Sequence, residues 1–238
     1  MVTFRLAPAK LRPGRRVYAI GDVHGMARRL AALHNAIAAD LAARPCASAL
    51  VVHIGDYIDR GPESSGALAM LASGTPIGGA ETISLIGNHE WMALRALLGG
   101  DDDAAKLWRM NGADATLRSW RIDPDTEHPS WGQAVPEEQL RFLEGLRLFH
   151  REDGYFFVHA GLRPGVALAE QDPDDMVWIR EPFLSYAGDF GVVVVHGHTP
   201  TKEPEVRTNR IGIDTGAVYG GALTASVLEE DRLGFLQV

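Results

Sequence analysis

Only one cysteine occurs in this chain, Cys46. An internal disulfide is excluded, thiolate ligation is not on offer, and a reducing, cytoplasmic setting is expected. Long apolar runs are missing as well. Runs such as Val192 to Val195 fall far short of the ~20 residues that a membrane-spanning helix needs. Met1 to Arg16 carries basic residues, but no apolar segment follows, so it does not read as a secretory signal. No membrane partner is expected. Basic excess is also absent: 23 Lys and Arg face 31 Asp and Glu, for a formal charge of -8. That balance argues against nucleic acid as a partner, although bound divalent cations would reverse the field locally. Repeats, low-complexity tracts and linkers are lacking. What is there is 238 residues of ordinary apolar content, 46%, enough for one packed domain over 1-238.

Strand and helix signals alternate through the first half. Val17 to Ile20 reads as a core strand. Met26, Leu30, Leu33, Ile37 and Leu41 recur at helical spacing and should end near Pro45. Leu50 to Ile54 and Thr82 to Ile86 are further strands, with short helices expected over Ser64 to Ser73 and His89 to Leu98. This rhythm implies an α/β layer fold with parallel strands at its centre. Residues 99-135 break it, and are expected to form a helical insertion over one edge of a site. Within it, Asp101 to Asp103 reads as a solvated helix start, and Trp108, Trp120 and Trp131 as local core. Pro136 opens a helix with Leu140, Leu143 and Leu146 inward. From Tyr155 the chain turns strand-rich, through 192-195, 210-213, 223-228 and 234-238, and these strands are expected to build a second sheet.

Five polar clusters follow apolar runs: Gly21-Asp22-Val23-His24-Gly25, Gly55-Asp56-Tyr57-Ile58-Asp59-Arg60-Gly61, Gly87-Asn88-His89-Glu90, Val158-His159-Ala160-Gly161 and His196-Gly197-His198-Thr199. In open α/β sheets, ligands bind beyond the carboxyl ends of the strands, so the five can meet at one edge. Carboxylate, imidazole and amide oxygen suit manganese, iron or zinc. Asp22 and His24, two residues apart, share a face of an extended segment. Asp56 is the natural carboxylate to bridge two cations. Such a pair, about 3.5–4 Å apart, would clamp entering and leaving oxygens and acidify a bridging water.

As an ordered set the clusters resemble the metal-dependent phosphoprotein phosphatases of the calcineurin-like metallophosphoesterases, which carry GDxHG, GDxxDRG, GNHE, HAG and GHT. The resemblance runs from Gly21 to Thr199 and implies two packed mixed β-sheets flanked by helices. It implies that Asp22 and His24 hold a first metal ion, that Asp56 bridges, and that Asn88, His159 and His198 complete a second. His89 would protonate the leaving alkoxide, oriented by Asp59. Arg60 would grip phosphate by its guanidinium fork. Arg180, in Val177-Trp178-Ile179-Arg180-Glu181, resembles the family's second phosphate arginine, and Tyr219 would lie on a loop over the site. The cofactors implied are two divalent cations, manganese first, with iron or zinc as alternatives. Metal-bound hydroxide would attack phosphorus directly, with no phosphoenzyme.

Each cluster alone has a plainer reading: Asp22 and Asn88 as helix caps, Asp56 and Asp59 as turn residues. His196 shares strand parity with His198 and competes with it; the family's GHT selects His198. His34, His53, His128 and His150 match no cluster and receive no role. The expected activity is dephosphorylation of phosphoserine and phosphothreonine, on a protein or a small phosphoester. Glu90 and Asp59 favour that branch, because diadenosine-tetraphosphatase relatives commonly carry Asp at the position of Glu90 and often replace the Asp59 carboxylate. Hydrolysis of dinucleoside polyphosphates or nucleotides is the alternative. A phosphate-binding scaffold with a degenerate site is a third reading, opposed by the intact ligand set.

Overall fold

A computed structural model describes residues 2–74, 77–126 and 130–238. His128 and part of the 99-135 stretch lie outside them. Three parallel neighbours, Arg15–Ile20 (β2), Ser48–His53 (β3) and Glu81–Ser84 (β4), start the first sheet. Their crossovers are Ala27–Ala43 (α1) and Ser64–Ala72 (α2). Side chains alternate along β2. Val17 and Ala19 face the second sheet, while Tyr18 and Ile20 face the helices. Both faces are buried, which is why these strands read as continuous apolar runs rather than alternating ones. Leu30, Leu33 and Ile37 of α1 are wholly buried, each worth about 1.5–3 kcal/mol over exposure.

Four helices follow: Asn88–Gly99 (α3), Asp102–Met110 (α4), Ala113–Ser119 (α5) and Trp131–Ala134 (α6). Asp101 caps α4 by accepting the N–H groups of Asp103 and Ala104 at 3.1 and 2.9 Å. Glu137–Glu144 (α7) packs on α2. The second sheet runs Phe149–Glu152 (β5), Tyr155–Val158 (β6), Val193–His196 (β7), Arg210–Gly212 (β9) and Glu205–Val206 (β8), with β6, β7 and β9 parallel. Pro173–Trp178 (α8) lies between β6 and β7 in sequence. Leu50, Val52, Phe157, Val195 and Ile211 share the core between the sheets.

The last two strands correct the sequence expectation. Thr224–Glu229 (β10) and Arg232–Gln237 (β11) form a hairpin in the first sheet, not the second. β10 pairs antiparallel with β2, Ala225 opposite Ile20, and Arg5–Leu6 (β1) closes the edge beside β11. A hairpin satisfies its own turn and alternation on either sheet, so its partner is invisible in its sequence. The result is two packed mixed sheets flanked by helices. Among the described residues no helix is long and apolar enough to cross a membrane.

Candidate active site

Both sheets present their parallel strands' carboxyl ends to one edge. Asp22 and His24 follow β2, Asp56 follows β3, and Asn88 opens α3 just beyond β4. His159 follows β6 and His198 follows β7. All six are buried. The close approach requires glycine at two points: a Cβ on Gly87 would overlap the Asp56 carboxylate, and one on Gly197 would overlap that of Asp22. His24, Asp56, Asp59, Arg60 and His198 all take positive φ, between 44 and 72°. Non-glycine residues in that region cost of order 1–3 kcal/mol each, and such strain gathers at functional sites.

The imidazoles are held for ligation. His24 Nδ1 lies 2.9 Å from the Ile58 carbonyl and His159 Nδ1 2.9 Å from that of Ile54. A carbonyl only accepts, so each Nδ1 carries the proton and each Nε2 faces the site. Burial pushes His24 and His198 down to about 3, leaving both rings neutral, the state that offers a lone pair. His159 goes the other way: burial opposes its charge, but Asp56 outweighs it. Asp56 is central. Its carboxylate lies 3.5 Å from His24 Nε2, 3.4 Å from His159 Nε2 and 3.9 Å from His89 Nε2. Burial works to raise its pKa, and His159, His89 and His24 pull it well below the usual range. Asn88 Oδ1 lies 3.1 Å from His159 Nε2 and 2.9 Å from His198 Nδ1.

Among the described residues two groups could each hold a metal ion: His24, Asp56 and His89, and Asp56, His159 and His198, with ligand atoms inside 4.8 Å. Asp56 belongs to both, as a bridging carboxylate must. Asp22 belongs to neither. Its oxygens accept the His198 N–H at 3.0 and 3.3 Å, and burial with the charges of Asp214 and Asp56 raises it well above the carboxylate range. Three carboxylates buried together, with imidazole lone pairs aimed between them, form a donor set for hard-to-borderline divalent cations.

Four further side chains were given no role at the site from the sequence. Glu90 accepts the backbone N–H groups of Asp56, Tyr57, Ile58 and Gly87 at 2.8–3.2 Å, tying two strand ends together. Burial and Asp56 raise it to about 7. Asp214, beyond β9, is the added carboxylate; a sixth strand end reaches the edge where five were counted. Trp108 and Thr116 both donate to Asp59, at 2.7 and 2.6 Å. Trp108 is core, as expected, and also a donor; only an Asp59 whose position is known could reveal that. His196 packs edge-on against Phe183 and sits beside Arg210.

His89 is held by Asp59, Nδ1 to Oδ2 at 2.6 Å. Its Nε2 is buried without a hydrogen-bond partner, a cost of about 1–3 kcal/mol when left unmet. Burial lowers its pKa, but Asp56 and Asp59 prevail and raise it. Arg60 and Arg180 line one pocket of about 210 Å³ with Asp56, Asn88, His198 and Tyr219. The Tyr219 ring, 66% exposed, stands at its mouth, 5.8 Å from the Arg60 guanidinium. A larger cavity, about 730 Å³, lies around Leu184, Tyr186 and Val206, beyond the opposite strand ends, and its lining offers no carboxylate, imidazole or thiol.

Comparison with known proteins agrees with this arrangement. Residues 15–230 match the calcineurin-like phosphoesterase family. Serine/threonine-protein phosphatase 1 of Salmonella typhimurium is 30% identical over 223 residues, covering 90% of this chain and 93% of that one. The asymmetrical bis(5'-nucleosyl)-tetraphosphatase PrpE of Geobacillus thermodenitrificans is 28% identical, covering 87% of each chain. Among solved structures, the fold is like that of a cold-active protein-tyrosine phosphatase from a psychrophilic Shewanella species. That likeness has a TM-score of 0.60 at 17% identity, over 94% of this chain and 80% of that one. With the strand-end site, the two-sheet architecture and relatives aligned over most of their lengths, this chain belongs to the calcineurin-like phosphoesterase family, a family of phosphoester-hydrolysing enzymes.

Proposed function

We propose that the protein is a cytoplasmic, dinuclear phosphomonoesterase that removes phosphate from phosphoserine and phosphothreonine in proteins. Asp22 and His24 would hold one divalent cation, Asn88, His159 and His198 the other, with Asp56 shared. Manganese is the first choice, with iron or zinc as alternatives. When bound, such a pair polarises phosphoryl oxygens and supplies hydroxide near neutral pH. The chain's own residues do the rest. Arg60 and Arg180 grip the equatorial phosphoryl oxygens and neutralise charge as it develops. His89, its Nδ1 proton held on Asp59, gives the Nε2 proton to the departing seryl or threonyl oxygen. No side chain forms a covalent bond to phosphorus.

The observation that carries this reading is the unmatched Nε2 of His89 on an imidazole anchored by Asp59. A group poised to protonate an alkoxide matters most for a poor leaving group such as serine. The pocket that holds Arg60 and Arg180, about 210 Å³, has room for a phosphate with a short stem. The likeness to the tetraphosphatase PrpE supports a second reading, hydrolysis of dinucleoside polyphosphates. Turnover of a phosphoserine peptide and of diadenosine tetraphosphate, at equal enzyme and manganese, decides between them. The peptide should be the better substrate by kcat/KM; clear preference for the dinucleotide reverses the order.

A further inference from the structure

Asp59 and Arg60 are consecutive non-glycine residues with φ of 72 and 67°. Local support is limited to the Gly61 N–H donating to the Asp59 carbonyl at 2.7 Å and to Ser64 Oγ, which accepts the Asp59 N–H at 3.1 Å. Four more hydrogen bonds run to one stretch of the helical insertion. Trp108 Nε1 donates to Asp59 Oδ2 at 2.7 Å, the oxygen that also takes the His89 Nδ1 proton. Thr116 Oγ1 donates to Asp59 Oδ1 at 2.6 Å and accepts the Asp59 backbone N–H at 2.8 Å. The Arg60 N–H donates to the Gly112 carbonyl at 3.2 Å. Gly112 itself has φ of 103°, and a Cβ there would meet Arg60 Cγ at 3.0 Å. Trp108 and Thr116 are wholly buried and touch no part of the pocket.

We infer that residues 108–116 are a clamp that positions Asp59, and through it the His89 ring, while fixing the backbone from which Arg60 reaches phosphate. A carboxylate bonded to one imidazole alone can rotate about its Cβ–Cγ bond. With Thr116 on Oδ1 and Trp108 sharing Oδ2, it offers His89 one direction only, and Nε2 is aimed accordingly. Trp108 and Thr116 are positioning residues, and the insertion thereby becomes part of the enzyme's working parts rather than a cover. The inference rests on His89 as the proton donor proposed above.

The test compares Thr116→Val, which keeps shape and loses the hydroxyl, with Thr116→Ser, which restores it. Trp108→Phe is the second probe. Thr116→Val should lower kcat on an alkyl phosphate by about tenfold with KM little changed, and lower it less on p-nitrophenyl phosphate. Thr116→Ser should recover most of the loss. In an Asp59→Asn background, Thr116→Val should add less than about twofold, because the two act as one unit. The His89 Nδ1 proton, identified downfield in proton NMR by its disappearance in Asp59→Asn, should move in Thr116→Val and Trp108→Phe. An unmoved signal overturns the clamp, as does full additivity with Asp59→Asn. His89→Asn run beside these separates the two ideas: equal losses on both esters remove the acid role, while the clamp still stands or falls by the proton signal.

Discussion

At the residue scale the question is what His89 does with its free nitrogen. Distance alone groups it with His24 and Asp56 around a possible cation. Its bond to Asp59 suits either a ligand or an acid, since both need a fixed tautomer. His89→Asn distinguishes them. The acid reading expects metal content and thermal stability to persist, and kcat on alkyl phosphates to fall by about 10²–10⁴-fold. Aryl phosphates should lose less, because their oxygen leaves without help. Loss of bound metal on analysis of the purified variant would make His89 a ligand instead. The strand-end residues were legible from the sequence because each follows an apolar run with glycine beside it, a pattern that survives without coordinates. Trp108, Thr116 and Asp214 were not. Their contributions depend on partners far away in sequence, and a tryptophan in an apolar setting reads as core whether or not its N–H is in use.

At the scale of elements, Glu90 is the tie between α3 and the loop that follows β3. Both of its oxygens accept backbone N–H groups from that loop, and Oε2 also accepts from Gly87. Glu90→Gln puts an NH₂ where one of those oxygens was. At least one buried N–H is then left facing a donor, at about 1–3 kcal/mol. The expected outcome is a lower denaturation midpoint together with weaker metal retention, read by urea titration and metal analysis. An unchanged midpoint would show that the loop holds itself. Elements were legible to different depths for a related reason. α1 follows its apolar spacing closely, covering Ala27–Ala43. β5 and β8, by contrast, are short edge strands, and their residues are too polar to stand out from loops.

At the scale of the whole molecule, acid sensitivity has a source outside the reactive edge. His53, the last residue of β3, meets His34 of α1, Nε2 to Nε2 at 2.9 Å. Burial pushes His34 down to about 4 and His53 down to about 3. Unfolded, both would titrate near 6.5. Each therefore takes up a proton on unfolding once the pH drops under that value. Their contribution to stability is full above pH 6.5 and is lost progressively as the pH falls toward 4. The variant His34→Leu/His53→Leu should flatten the decline in unfolding free energy between pH 6.5 and 4. An unaltered slope would assign acid loss to other groups.

The pairing of β2 with β10 has a consequence for biosynthesis. Ile20 meets Ala225, a partner made long after it along the chain. Until then, an inner strand of the finished sheet is a bare edge with open peptide groups, ready to dock on any neighbouring extended chain. Contacts this remote in sequence also form slowly. An aggregation-prone moment thus falls on the ribosome, when all six strand ends that frame the site already exist but the ribbon that seals the first of them has yet to emerge.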